Sequence, residues 1–214
     1  MEFLIRDDLK KKYSNCKIAL ISEDGYGKQS LNNFLEHPRI EVIELKTSIK
    51  QPTHEGEAIE NIQEMANAFR ERYNNYDLIL FVQDYIKKRI NEPHQQMIYI
   101  AMHDVSNGGH YIQESHSDEG VNLPDMDLFN NELFYRVDSD ICKEENGFSI
   151  SCSYTEKNND VTYGELLCKK NPQYEPANNW MMHIDGAMDR EQMIYKTLQR
   201  VFTKILVSLY RKRN

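Results

Sequence analysis

The sequence predicts an α/β domain whose mostly parallel central sheet is sandwiched by helices in the order β-α-β-α-β-β, extended by an antiparallel β-meander and closed by a long amphipathic helix. Three observations carry that expectation. Leu78-Ile79-Leu80-Phe81-Val82 is an uninterrupted apolar run bracketed by Asp77 and by Gln83-Asp84; a strand apolar on both faces has to be covered on both. Strand-like and helix-like segments alternate ahead of it, which implies parallel strands joined by right-handed crossovers. The end of the chain carries a broad apolar stripe at helical spacing, the pattern of a helix laid across a sheet.

In chain order, residues 1–15 form a short helix or arm with Phe3, Leu4, Ile5 and Leu9 as anchors. Lys17 to Ser22 is a short buried strand, broken by Glu23-Asp24-Gly25-Tyr26-Gly27. Lys28 to His37 reads as a helix with Leu31, Phe34 and Leu35 on one side, ended by Pro38. Ile40 to Leu45 is a second strand and Pro52 to Gly56 a loop. Glu57 to Tyr73 is the clearest internal helix, with Ile59, Ile62, Met65, Ala66 and Phe69 in a stripe. The Asp77–Asp84 strand follows, and Met97 to Met102 makes a fourth. Its connection, Tyr85 to Gln96, is about the shortest that can form a parallel crossover, so its direction stays open. Residues 17–104 are thus the core, and 105–131 a long polar loop of the kind that is often functional.

Beyond that loop the apolar period changes to two, and residues 132–168 read as the meander. Asn146-Gly147 is the strongest hairpin signal in the chain. A two-residue turn there pairs Ile141 with Cys152, and places Val137, Ile141, Phe148, Ile150, Cys152 and Tyr154 on one face and mostly acids and serines on the other. Val161 to Cys168 is expected to return as a third strand. Asn171 to Asp185, with the single tryptophan Trp180, is a connecting loop. Asp189 followed by Gln192 resembles a capping box, and the closing helix spans 187–211.

Bulk properties bound the function. At 214 residues, 28% charged and 40% apolar, the chain suits one soluble domain covering 1–214. Its net charge of −8 argues against nucleic-acid binding, which depends on neutralising phosphates. Apolar runs fall well short of the ~20 residues that cross a bilayer, so no membrane partner is expected. Met1 to Lys12 lacks the apolar core of a signal peptide, which points to the cytoplasm, or to the periplasm if a signal has been removed. The cysteines Cys16, Cys142, Cys152 and Cys168 show no CxxC spacing; the hairpin register sets Cys142 and Cys152 on opposite faces, and free thiols fit a reducing compartment.

Three constellations could carry chemistry. Gly25-Tyr26-Gly27-Lys28-Gln29-Ser30 sits between a strand and a helix, where phosphate loops lie, making Gly25, Gly27 and Lys28 a candidate cofactor-binding turn. It departs from GxxxxGK[ST] at Ser22 and Gln29, and the plainer alternative is a glycine turn. The stretch 103–119 gathers His103, His110 and His116 with carboxylates, a donor set suited to a divalent metal, although polar loops collect such residues by composition alone. Finally, ligands of open parallel sheets gather beyond the carboxyl ends of the strands. That rim would hold Glu23, Asp24 and Asp84, joined by His103 and Asp104 if the fourth strand is parallel. Asp84 and Asp104 are then candidate acid–base residues.

The element order, a strand running into Asp104-Val105-Ser106-Asn107-Gly108-Gly109, and the closing amphipathic helix are similar to periplasmic assembly domains of the TolB amino-terminal and curli-secretion type. That resemblance implies an assembly role and transfers no functional residue. The expected function is therefore non-catalytic binding of a protein partner or small molecule through 103–131 and the adjacent rim. The alternatives are a metal-dependent hydrolase and nucleotide binding at the Gly25–Lys28 turn.

Overall fold

Runs of β-branched and aliphatic residues with no polar interruption set the centre of the molecule. β1 (Lys17–Ser22) and β3 (Leu78–Lys87) lie side by side and parallel, Leu20 opposite Leu80, and β2 (Arg39–Glu44) pairs parallel with β1 on its other side. The structure is a computed structural model that describes residues 11–105, 112–116, 120–139 and 152–211, with the backbone alone at 112–116, 135–139, 152–155 and 205–211. β4 (Gln95–Asp104) pairs antiparallel with β3, Leu78 opposite Asp104 and Lys87 opposite Gln95. β5 (Ile112–His116) and β6 (Val121–Asn122) both pair antiparallel with β4, giving the order β2-β1-β3-β4-β5 with β6 beside the start of β4.

The direction of the fourth strand is settled by chain length. Tyr85 and Ile86 continue the buried alternation of β3, so the strand runs on to Lys87 and leaves only 88–94 before β4. That is room for a hairpin turn and far too little for a crossover. Asn91 takes a left-handed conformation in the turn, and His94 Nδ1 accepts from the Arg89 amide at 3.1 Å.

β3 is covered on both faces, as its composition requires. Leu78, Leu80 and Val82 face a layer built by Leu31 and Phe34 of α1 (Lys28–Phe34) and by Met193, Ile194, Leu198, Val201 and Phe202 of α4 (Arg190–Arg211). Ile79 and Phe81 face Ala58, Ile62, Met65 and Phe69 of α2 (Glu55–Phe69). Phe34 stacks on Phe202 with ring centroids 4.8 Å apart. Each fully buried aliphatic side chain here stabilises the fold by roughly 1.5–3 kcal/mol, so this double-sided layer dominates its energetics.

Two expectations need correction. The stretch 105–131 is not a plain loop: it supplies β5, β6, a helical turn at Met126–Leu128 and a π turn at Phe129–Leu133. Val121, Leu123, Leu128, Phe129 and Leu133 are buried and anchor it, while residues 106–111 and 117–119 lie outside the described ones. The meander, likewise, has two strands where three were expected. β7 (Phe134–Ser139) pairs antiparallel with β8 (Cys152–Lys157) in a separate small sheet, Ser139 opposite Cys152, two residues from the expected register and therefore with the same faces. Asn146-Gly147 lies outside the described residues.

The expected third strand is instead helix α3 (Tyr163–Lys170). Thr162 and Glu165 form a reciprocal capping box at its start, the Glu165 amide donating to Thr162 Oγ1 at 3.2 Å and the Thr162 amide to Glu165 Oε2 at 2.7 Å. Those two bonds satisfy donors that a helix start leaves open, and they outweigh the β-like alternation of Val161, Tyr163 and Leu167. The Asp189–Gln192 box is present as expected, with reciprocal bonds of 2.8 and 3.2 Å.

Candidate functional site

β1 and β3 run parallel, so their carboxyl ends open at the same rim. There Glu23 and Asp24 follow β1 in the turn, and Asp84 projects from β3 on the face that carries α4. Asp189 caps α4 and thereby sets the direction of the first helical side chain, Arg190, which is only 6% exposed. The Arg190 guanidinium enters between the acids. Nη1 ion-pairs with Asp24 and donates to the Asn178 carbonyl at 2.8 Å, while Nη2 lies 2.9 Å from Asp84 Oδ1. Gln96 Nε2 donates to Asp84 Oδ2 at 3.2 Å, and Tyr26 lies beneath the guanidinium, 5.1 Å from ring centroid to Cζ.

This cluster forms one wall of a narrow cleft of about 530 Å³, counting solvent at its mouth. Gln51, Asn178, Trp180 and Met181 are among the residues of the other walls. Arg190 Nε is buried without a hydrogen-bond partner in the protein. Asp84 Oδ1 is buried too and is held by Nη2 in the ion pair. Gln83 Oε1 is a buried oxygen without a hydrogen-bond partner in the protein.

Burial pushes the Asp84 carboxyl up to about 7, with Asp24 and Glu23 adding to the rise and Arg190 opposing it. Burial also raises Glu23, despite hydrogen bonds from the Thr47 amide and hydroxyl. For Arg190, burial works against the charge, and Asp84 and Asp24 more than offset it. Three carboxylates therefore share one guanidinium. The other cation lining the cleft, Lys50, is paired with Glu165 at 2.9 Å.

The residues expected from sequence separate into distinct places. Asp84 is in the cleft. Asp104 and His103 are at the opposite rim, because antiparallel β4 ends where β3 begins. Strand alternation also sends those two to opposite faces: the His103 ring is 5.1 Å from Tyr73 near α2, whereas Asp104 accepts from the Tyr13 hydroxyl at 2.8 Å and Lys12 Nζ at 3.1 Å. His116 sits opposite Tyr99 and His103 opposite Ile112, four rungs apart, or about 13 Å along the ladder. His110 lies outside the described residues. Among the described residues no group of His, Cys, Asp and Glu is arranged to hold a metal ion.

The Gly25–Lys28 turn is built as a glycine turn, with φ of 76° at Gly25 and 106° at Gly27. Its amides are already engaged. Gly27 N–H donates to Glu191 Oε1 at 2.8 Å and Ser30 N–H to Glu191 Oε2 at 3.1 Å, so an internal carboxylate occupies the position a phosphate would take. Lys28 is exposed.

Sequence reasoning missed Arg190, Glu191 and Trp180. The cap at Asp189 was legible, and an arginine directly after a cap, on a helix otherwise apolar toward the sheet, is the signal that could have drawn attention to residue 190.

No family model matches the chain, and no curated protein matches it. Among solved structures, the chain is similar to protein VC0702 from Vibrio cholerae, with a TM-score of 0.57 at 8% identity, over 91% of this chain and 98% of that one. At that identity the likeness speaks for the fold alone. It supports the α/β arrangement described above, and among the described residues no helix is long and apolar enough to cross a membrane.

Proposed function

We propose that this chain is a binding protein for a small polar molecule, taken up in the cleft at the carboxyl ends of β1 and β3. The observation that carries this reading is the cleft itself, at the rim where parallel strands of such sheets take up ligands, walled by the charged Glu23, Asp24, Asp84 and Arg190 and by Trp180 and Met181. That lining offers a small polar molecule both polar contacts and an apolar wall. Binding is favoured over metal-dependent hydrolysis because a guanidinium already sits between the carboxylates. It is favoured over nucleotide binding because Glu191 already sits on the amides of the glycine turn.

The single tryptophan lines the cleft, so its indole N–H gives one resonance that reports directly on occupancy. Titration of 15N-labelled protein with a set of small polar compounds is expected to shift that resonance for a subset of them. Asn178→Phe, which adds bulk at an exposed position of the cleft without removing any of the cluster's side chains or adding a second indole, is expected to abolish the shifts. A set that leaves Trp180 unmoved throughout would end the reading. A second reading, proton transfer by Asp84, is favoured by a carboxyl whose pKa near 7 suits either role at neutral pH. It predicts conversion of a bound compound that Asp84→Asn stops, whereas simple binding leaves the compound intact.

A further inference from the structure

β2 closes one side of the main sheet, and β1 is the strand it pairs with. The Arg39 amide donates to the Cys16 carbonyl and the Leu45 amide to the Ser22 carbonyl, both at 3.0 Å, so the odd-numbered backbone groups of β2 point at β1. In a parallel pair the alternate residues point the other way. The amides and carbonyls of Ile40, Val42 and Glu44 therefore face outward, and among the described residues nothing bonds to them.

An open strand edge is a template for another strand unless the chain blunts it with proline, a bulge or free charge. β2 contains no proline, and its register with β1 runs unbroken from Lys17 opposite Arg39 to Ser22 opposite Glu44. Two of its charged side chains are tied to their own chain. Arg39 Nη2 donates to the Asn15 carbonyl at 3.1 Å, and Glu41 accepts from Arg72 at 3.0 Å and from the Tyr76 hydroxyl at 2.7 Å. Ile40, Val42 and Ile43 pack on the core layers yet stay only half-buried.

We propose that β2 pairs antiparallel with β2 of a second copy of this chain, about a two-fold axis at Val42, joining the two sheets into one. The outward groups select this register. With Val42 opposite the partner's Val42, Ile40 falls opposite the partner's Glu44, and each such pair exchanges two backbone hydrogen bonds. Every outward residue of both strands is then used. Moving the axis toward the amino end sets Glu41 against the partner's Glu41 and brings Pro38, which has no amide to donate, into the ladder. Moving it the other way carries Ile40 past the end of the partner's strand. In the favoured register Val42 covers the partner's Val42, with Ile40 diagonal to it, while Glu44 stands at each end of the ladder with its exposed carboxylate in water. A foreign extended peptide would supply the backbone bonds, but the side chains of β2 are complementary to themselves. The contact is isologous and closes at two copies.

The test follows the full chain by sedimentation and by amide hydrogen exchange over a concentration series. A monomer–dimer equilibrium is expected, and in the dimer the amides of Ile40, Val42 and Glu44 should exchange roughly tenfold or more slowly than in dilute protein. Those of Glu41 and Ile43, already bonded to β1, should not change. Val42→Pro removes an outward amide while sparing the ladder to β1, a position at which edge strands accept proline, and is expected to abolish the dimer. Should that variant fail to fold, the alternating exchange pattern of the unaltered protein decides alone. A chain that stays monomeric at every concentration would overturn the proposal. So would a dimer that leaves the three outward amides exchanging as fast as before, which places the contact elsewhere. Outward amides already slow in the dilute monomer would show the edge covered by its own chain, and a folded Val42→Pro variant that still dimerises would be equally fatal.

Discussion

Replacing Arg190 by methionine tests the site most directly, because the thioether keeps much of the length of the side chain and removes only its charge and donors. The substitution takes away the ion pairs to Asp24 and Asp84 and the bond to the Asn178 carbonyl. It leaves two carboxylates whose side chains are 17% and 15% exposed facing each other across the gap. Breaking a buried pair from one side costs about 3–5 kcal/mol, since the remaining charge is left uncompensated. Set against the roughly 5–15 kcal/mol by which domains are stable, Arg190→Met should come close to unfolding the protein at pH 7. The deficit has a sign in pH. Without the guanidinium, the main opposition to the burial that already raises Asp84 is gone, so the native state of the variant takes up protons more readily than the unfolded chain. Acidification from pH 7 to pH 5 should therefore restore part of the lost stability. Urea unfolding followed by Trp180 fluorescence at pH 5, 6 and 7 reads this, with Asp84→Asn/Arg190→Met as the companion expected to recover a large share at pH 7. A cost below about 1 kcal/mol at pH 7, or a deficit that does not change with pH, would refute the electrostatic account of this cluster.

In the unaltered protein Asp84 titrates at about 7 against an ordinary value of 3.8, so its contribution is fully present below pH 4 and is lost as the pH rises toward 7, by at most about 4 kcal/mol; Asp84→Asn should flatten that slope in urea unfolding. Gly164→Ala should destabilise by several times the roughly 1 kcal/mol typical of point changes, because a Cβ there would lie 1.9 Å from the Ala177 carbonyl oxygen, and a calorimetric scan reads the drop. Thr162→Ala removes the capping box and should cost about 0.5–2 kcal/mol, with Thr162→Ser restoring most of it in the same denaturation assay. Glu191→Ala strips the acceptor from Gly27 and Ser30 and should cost about 1–3 kcal/mol in urea unfolding, with a marked rise in hydrogen exchange at those two amides.

The fold was readable where local pattern and tertiary need agree. Leu78 to Val82 is apolar in every position and ends at the centre of the sheet with both faces covered, and the stripe of Met193, Ile194, Leu198, Val201 and Phe202 ends on that sheet. Pattern failed where two local signals competed. Val161 to Cys168 alternates like a strand, but two capping bonds at Thr162 and Glu165 tip it into a helix. The direction of β4 needed the true end of β3, and Tyr85 and Ile86 read as linker until a partner strand buries them. That single ambiguity displaced half of the candidate site: with β4 antiparallel, His103 and Asp104 belong to the far rim, and only Asp84 stays with Glu23 and Asp24. Arg190 was beyond reach by pattern, because the acids it joins are 106 and 166 positions away in the chain and no periodicity links them.

Residues 190 and 191 are neighbours at the start of one helix, yet they complete opposite electrostatic tasks at the same rim. Arg190 supplies the cation that the acids of β1 and β3 require, and Glu191 supplies the anion that the amides of the glycine turn require. Successive side chains at a helix start diverge by about 100°, so a single placement of α4 can serve both sides of the rim at once. The cap at Asp189 fixes that placement, and the apolar stripe of α4 holds the rest of the helix on the sheet. The rim is thereby locked by groups of its own chain on both sides, and what is left open between them is the cleft. A site that needed a metal ion or a nucleotide would have to expel Arg190 or Glu191, at the cost of a buried ion pair or of stranded backbone amides. A small ligand entering the cleft displaces neither, which is the ground on which the binding role is proposed.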